Sequence, residues 1–586
     1  MKNRLDTILK ATINYCFDRD LLSKTSIPEY VIEIPNNPAH GHFATNLPMT
    51  LASSQRRRPL DIATAIVDNL KDEEGLLEST DIAGPGFINF KIRAEEWCGI
   101  LSDIVRVKED YGRNDAGDGE KVLVEFVSAN PTGPLHLGHG RGAALGDTLC
   151  RILSFCGYGV EREFYINDAG EQIRLLGESI FCRFRQIHDP DYPFPENGYH
   201  GDYIFDLAKA ISREADLDDL SEEAAIIYCA QQGREIVLEE IKGDLVRFRV
   251  DFDGWYSEMD LHSSGLLQNT LEAIKEKGYL YEKDGALWIK TSDLGDDKDR
   301  VIRKSDGQFT YFASDIVYHL QKHERGFTKA IDIWGADHHG YIPRMKASLA
   351  AQGVSDEWLS VMLIQLVKLW EGGQEIRMSK RAGTFVTLRE LMDDVGVDAV
   401  RFVFLMKNHE SPLDFDIDLV KKEDSDNPVY YVQYAHARIC SIFRKAEAEG
   451  IFVPDQSGDL SKSLVLEEEL ALIRAMAGFP SLLKEICVAL EPHRLTYYLT
   501  DLAALFHRYF NLGTKISDHR IITSDKALSQ ARLFLAEGIR TVIANGLNLL
   551  GIEAPEKMSM RNTKFDKFVK SRKAPVVVIP AKAGIQ

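Results

Sequence analysis

His136 and His139 stand three residues apart in SANPTGPLHLGHGR, residues 128 to 141, between an apolar run, VLVEFV, and a small-residue run, GAALGDTLCRIL. Paired imidazoles in such a place can ligate a metal, donate hydrogen bonds to phosphoryl oxygens as negative charge develops there, or sit in a turn without function. Zinc takes histidines at i, i+4 on a helix or within histidine and cysteine clusters. Here the spacing is i, i+3 beside glycines with no third ligand close in sequence, so no metal site, and no zinc, is expected. A phosphate cradle fits better. Open α/β sheets bind ligands beyond the C-terminal ends of their strands. Gly138, Gly140 and Gly142 would let a polyanion approach the backbone, and the helix that follows would present free N–H groups and its positive dipole end. A tight turn with incidental histidines is the plain alternative. A second pair, His40 and His42, also follows NP, but it lacks the glycine-rich helix start and reads as a structural loop.

A strand must precede this turn and a helix must follow it. VLVEFV is nearly continuous in apolar residues, as a buried parallel strand requires. VEREFYI (160–166) predicts a second strand, with a helix from about Asp168. GALWIK (285–290), VIRKSDGQFTYF (301–312), AIDIWG (330–335) and VMLIQLVKLW (361–370) predict further strands, with helices over 316–325 and 343–352. Alternating strands and helices imply a doubly wound, Rossmann-like parallel sheet of the α/β class over 121–387. A Pro-rich stretch followed by acidic helices, about 185–245, reads as an inserted domain. Residues 1–112 read as an N-terminal α+β domain, in which a helical start leads to YVIEIP and a loop, then a helix from Pro59 to Leu70 leads to DIAGPGFINFKI, which alternates like a strand. GRNDAGDGEK is its linker. From about 388 the pattern is helical: a connector over 388–428, then an all-α domain over 429–558. The tail, 559–586, is basic and aperiodic and is expected to be disordered.

The 586 residues suggest about three or four domains. A formal charge of −20 argues against wide, non-specific binding of polyanions. It leaves room for local basic surfaces at Arg56, Arg57 and Arg58 and along the tail. The eight cysteines include no CxxC pair, so disulfides and a cysteine zinc site are not expected and a reducing cytoplasm fits. No long apolar run predicts a membrane span, and the charged, amphipathic N-terminus does not read as a signal peptide.

Asn130, Pro131, Thr132, Gly133, Pro134, Leu135, His136, Leu137, Gly138 and His139 closely resemble the HIGH signature of class I aminoacyl-tRNA synthetases. Arg377, Met378, Ser379 and Lys380 resemble the KMSK loop of the same class, in the expected order and after a strand. EFVSANPTGPLHLGHGRGAALGD, FYINDAGEQI, YFASDIVYH, WGADHHGYI, RMSKRAGTFVTL, GVDAVRF and NPVYYVQYAHARI are similar to the bacterial arginyl-tRNA synthetase family in particular. The likeness covers nearly the whole chain apart from its tail.

That resemblance implies an enzyme that joins arginine to its tRNA, using ATP with Mg2+. His136, His139 and Lys380 are then the catalytic residues. ATP would be held by Ala129 to Gly140 and by Met378, Ser379, Lys380 and His339. The first KMSK lysine is replaced by Arg377. Relatives that lack the second lysine place one just upstream of HIGH; here that neighbourhood holds Gly133, which leaves the work to Lys380, a compact and mobile charge. Glu258, Asp315 and Tyr311 match the residues that line the arginine side-chain pocket, while Glu125 and Asn130 match those that hold its α-amino group. A guanidinium is best satisfied by carboxylates in forked geometry. Losing two charge-assisted hydrogen bonds against a neutral analogue would discriminate by about 10²–10⁴ without an editing domain.

By the same resemblance the N-terminal domain contacts the tRNA outer corner, the helical domain reads the anticodon, tRNA must bind before arginine is activated, and the protein is a monomer. Tyr430, Tyr431 and Tyr434 lie on a helix where they could stack on bases or fill a core. Two rivals stay open on the sequence: a small-molecule nucleotidyltransferase with the same phosphate turn, and a non-catalytic tRNA-binding paralogue.

Overall fold

The computed structural model describes residues 1–35, 37–376, 386–454 and 460–558. Arg377, Met378, Ser379 and Lys380 lie outside the described residues, as does the tail from 559. The described chain forms two units. One contains Met1–Tyr111, Ile442–Phe479 and Leu505–Val542; the other contains Gly112–Ser441, Pro480–Ala504 and the residues from Ile543 onward. The helices after 429 are thus shared between the units.

The first unit opens with helix Lys2–Asp18, which buries Leu5, Leu9, Ile13 and Phe17 along one face. A four-stranded antiparallel sheet follows, in the order Ile32–Glu33, Phe43–Thr45, Phe87–Ile92, Leu77–Ala83. DIAGPGFINFKI is therefore not one strand but the two arms of a hairpin, turned at Gly84 and Gly86, which both have positive φ. His42 accepts hydrogen bonds at Nδ1 from the backbone N–H of Ile92 (3.0 Å) and from Trp97 Nε1 (3.4 Å). Burial, with Arg474 beside it, lowers its pKa to about 4, which suits a neutral imidazole bracing a loop.

The second unit is built on five parallel strands: β1 (Lys121–Glu125), β2 (Gly159–Ile166), β3 (Gly254–Ser257), β4 (Lys329–Gly335) and β5 (Leu359–Ile364). Their order is β5-β4-β1-β2-β3. Strand order reverses between β1 and β4, and there the sheet opens a crevice. Helix α1 (Leu137–Phe155) returns from β1 and is buried along most of its length. Gly146 brings it against Phe126, whose ring lies 2.3 Å from where a Cβ would stand.

Three sequence expectations differ from the fold. GALWIK and VIRK do not extend the parallel sheet; they pair with Leu280–Lys283 in a separate antiparallel sheet. The strand expected over 301–312 stops at Arg303, and helix α3 (Tyr311–Glu324) begins inside it, because Thr310 turns its hydroxyl back to the carbonyls of Val301 and Ile302. VMLIQLVKLW is two strands: β5 ends at Ile364, and Val367–Glu371 joins another sheet with Gln374–Ile376 and, in parallel, Leu413–Asp416. The region past 388 thus contributes a strand as well as helices. In the stretch read as an insertion, Tyr203–Glu214 and Glu222–Arg247 are helical and pack with Glu171–Gln186.

Candidate active site at the switch point

The backbone leaving β1 is strained. Val127 and Ser128 have φ of 68° and 37°, a region that β-branched residues rarely enter. The strain is held from both sides: Ser128 Oγ donates to Glu125 (2.8 Å) and accepts the backbone N–H of Tyr165 (3.1 Å). The chain then runs through Asn130, whose amide donates to Gln172 (2.6 Å), and through Thr132, whose carbonyl accepts from the Tyr203 hydroxyl (2.8 Å). A Cβ on Gly133 would meet that hydroxyl at 2.9 Å.

His136 caps helix α1. Its Nδ1 accepts from the backbone N–H groups of Gly138 (3.1 Å) and His139 (3.4 Å), while His139 Nδ1 accepts from the His136 backbone (3.4 Å). The two rings stack with centroids 3.7 Å apart. Two of the N–H groups expected to cradle a phosphate are therefore satisfied by an imidazole. The same geometry bears on the tautomer: an Nδ1 that accepts leaves the proton of a neutral ring on Nε2. A Cβ on Gly138 would meet the His136 ring, one on Gly140 would meet Leu388 and Phe404, and one on Gly142 would touch Ile364, so packing also calls for small residues here. Leu135 and Leu137 are buried anchors.

Beyond residues 377–385 the chain returns to this turn. Thr387 forms an isolated antiparallel bridge with His136, and the Leu388 N–H donates to the Leu135 carbonyl (2.8 Å). Thr387 caps the next helix with Glu390 in a capping box. Thr387 and Leu388 are thereby pinned to the histidine turn.

The acids come from neighbouring strand ends. Asp168, past β2, accepts from Ser257 Oγ (2.8 Å) and from the Met259 backbone (3.1 Å), which fixes the start of helix α2 (Glu258–Ser263) after β3. Glu258, the first residue of α2, is buried, and its Oε2 has no hydrogen-bond partner among the described residues. Burial first, then the charge of Asp315, raises its pKa to about 7. Asp315, on the first turns of α3, is half-buried and accepts from the Tyr341 hydroxyl. Burial raises its pKa as well. Tyr311, exposed at the start of α3, holds its hydroxyl over Gly170. His339 is exposed on the turn Ala336–Tyr341, and it is Tyr341 from that turn that reaches Asp315.

Helix α3 is anchored to the sheet through a row of acids. Strand register sets Glu163, Glu125 and Asp332 side by side on β2, β1 and β4, all buried. Lys322 places its ammonium between Glu125 (2.6 Å) and Asp332 (2.9 Å), His319 meets Asp332 (2.6 Å), and the Tyr318 hydroxyl meets Glu163 (2.7 Å). Arg325, just past α3, adds a second contact to Glu163 (2.7 Å). Glu125, His319 and Asp332 have the spacing of a metal site, but the Lys322 ammonium sits among them. Sequence reasoning missed Tyr341, Lys322 and Arg141. Arg141 is buried and donates to the carbonyls of Gln365, Ser411 and Asn408 (2.8–3.0 Å).

Residues 101–416 match the family described as tRNA synthetases class I (R), catalytic domain; residues 3–92 match the Arginyl tRNA synthetase N terminal domain, and 432–558 the DALR anticodon binding domain. The chain belongs to the arginyl-tRNA synthetase family. It is 48% identical to the arginine–tRNA ligase of Syntrophotalea carbinolica over 95% of this chain and 100% of that one. A relative of the same name from Desulfosudis oleivorans is also 48% identical at the same coverage. The arginyl-tRNA synthetase structure from Thermus thermophilus shares the fold with a TM-score of 0.73, at 24% identity, over 94% of this chain and 99% of that one. Class I membership carries ATP use with it, and a generic small-molecule nucleotidyltransferase is set aside. No helix among the described residues is long and apolar enough to cross a membrane.

Proposed function

We propose that the chain is an arginine–tRNA ligase whose amino acid pocket is framed by Glu258 and Asp315. The observation that carries this reading is the buried Oε2 of Glu258, which has no partner among the described residues, beside the Asp315 carboxyl: two acids held where a planar cation would satisfy both. The arginine carboxylate is already ionised and attacks the α-phosphorus of ATP, bound as its magnesium complex. Pyrophosphate leaves and arginyl-adenylate forms. A ribose hydroxyl of the tRNA terminal adenosine then attacks the arginyl carbonyl, releasing AMP. The work of the site is positioning and electrostatics. His136 and His139 donate through Nε2–H to phosphoryl oxygens, Lys380 follows the departing pyrophosphate, and Glu125 and Asn130 hold the α-amino group. Tyr311 lines the arginine pocket, and His339 lies where the family binds adenosine or the aminoacyl group. The N-terminal and DALR domains bind the tRNA. The enzyme acts in the cytoplasm, a compartment supported by eight buried thiols, and as a monomer.

Lys380→Ala is expected to lower arginine- and tRNA-dependent ATP–pyrophosphate exchange about 10²-fold or more with the fold intact. Exchange near the parent rate would overturn that assignment, and an inactive parent would favour a non-catalytic paralogue. Asp315→Asn is expected to raise the KM for arginine and leave that for ATP nearly unchanged. A shift confined to ATP would remove Asp315 from the pocket.

A further inference from the structure

Tyr165 ends β2 one residue before Ile166 and is 9% exposed. Its hydroxyl has no hydrogen-bond partner among the described residues. The ring is gripped by its neighbours: Tyr256 across the β2–β3 register, nearly parallel with centroids 6.1 Å apart, and Tyr318 of α3 at 4.6 Å. Tyr318 lies three residues from Asp315 on α3, and Tyr256 lies two residues from Glu258. The Tyr165 ring is thus wedged between the two elements that carry the acids. Its hydroxyl senses them accordingly: after burial, the charges of Glu258, Asp315 and Glu125, in that order, push its ionisation upward, so it remains a neutral hydroxyl.

A buried hydroxyl without a partner is costly, and buried polar groups are nearly always paired. Here two such orphans, Tyr165 Oη and Glu258 Oε2, occur in one place. They do not pair with each other, yet the Glu258 charge acts on the Tyr165 hydroxyl, so one group that donates to both would satisfy the two together. A guanidinium offers five N–H donors and accepts from none. It can give one N–H to the carboxylate oxygen and another to the hydroxyl oxygen. An ammonium has three donors on a single nitrogen and reaches two separated acceptors less well.

We propose that Tyr165 is a specificity-determining contact of the arginine pocket, its hydroxyl accepting a guanidinium N–H while Glu258 and Asp315 supply the charge. This rests on the arginine reading of the pocket. Tyr165→Phe keeps the ring and its packing and removes only the oxygen. The expected result is a rise of about tenfold to hundredfold in the arginine Kd by calorimetry and in the arginine KM of tRNA charging. The KM for ATP and the unfolding midpoint should stay at the parent values. A packing role for Tyr165 predicts no change in arginine affinity, since the ring is kept. Parent-like arginine affinity in Tyr165→Phe, alongside a weakened Asp315→Asn, overturns the contact and leaves the pocket standing. Parent-like affinity in both variants overturns the pocket reading and the contact together.

Discussion

Glu258 holds a carboxyl where its charge is expensive, and in the proposed pocket that expense would be met by arginine. With a pKa near 7, about half the free protein carries it protonated at neutral pH. Arginine is cationic throughout and favours the ionised form. Binding in the proposed pocket is then expected to release a proton below pH 7, with arginine affinity rising with pH, by up to tenfold per unit, until it levels off above about 7. Arginine titrations at pH 6 and pH 8 should differ by roughly tenfold, with Glu258→Gln weaker and flat across the range. A pH-independent Kd in the parent would remove Glu258 from the binding equilibrium. Stability runs the other way in the free protein. The folded pKa lies above the ordinary 4.5, so the folded state holds the extra proton between 4.5 and about 7, and stability falls as pH rises through that window.

At the scale of elements, α3 does two jobs: it carries Asp315, and it neutralises the acid row of β2, β1 and β4. Asp332 is driven to a pKa of about 2. Burial opposes its charge, but Lys322 and His319 more than offset that. This contribution is present above the ordinary 3.8 and lost as pH falls toward 2. Lys322→Met would leave Glu125 and Asp332 buried without their cation, a cost of about 3–5 kcal/mol. A large drop in the denaturation midpoint at pH 7, partly recovered at pH 5 as the carboxyls take up protons, is the expected outcome. An equal midpoint at both pH values would mean that the row does not depend on Lys322. None of this was legible in the sequence, because Glu163, Glu125 and Asp332 are far apart in the chain and only strand register aligns them. What could be read was local. VLVEFV announced β1, and the small residues after His139 announced a buried helix. The start of α3 was hidden because QFTYF alternates like a strand while its Thr310 acts as a turn. The resemblance to a known family led to Glu258 and Asp315; their burial, and the unpartnered hydroxyl of Tyr165, needed coordinates.

At the scale of the whole molecule, helix α1 is tied to the far end of the described chain. Arg401 is fully buried and reaches Asp147 of α1 (2.5 Å), the Phe248 carbonyl (2.8 Å) and the Leu550 carbonyl (2.8 Å). Gly551 lies directly over it. Its φ is +68°, and a Cβ there would stand 2.4 Å from the guanidinium. Gly551→Ala would combine backbone strain with displacement of Arg401 from its acid. A loss of about 3 kcal/mol or more is expected, read as a lower denaturant midpoint. An unchanged midpoint would show that the chain end can move away without cost.

The Arg401 junction also sets a timetable. A nascent chain that has already emitted β1, α1 and β4 still lacks the Leu550 carbonyl that completes the partners of Arg401. The last partner of this buried guanidinium therefore arrives only when nearly all of the described chain has left the ribosome. A catalytic fragment cut after Asp416 would keep Asp147 and the Phe248 carbonyl beside Arg401 but leave its Nε–H without the Leu550 acceptor, so the two ends of this enzyme should be made as one piece or reassembled in trans before either is asked to work.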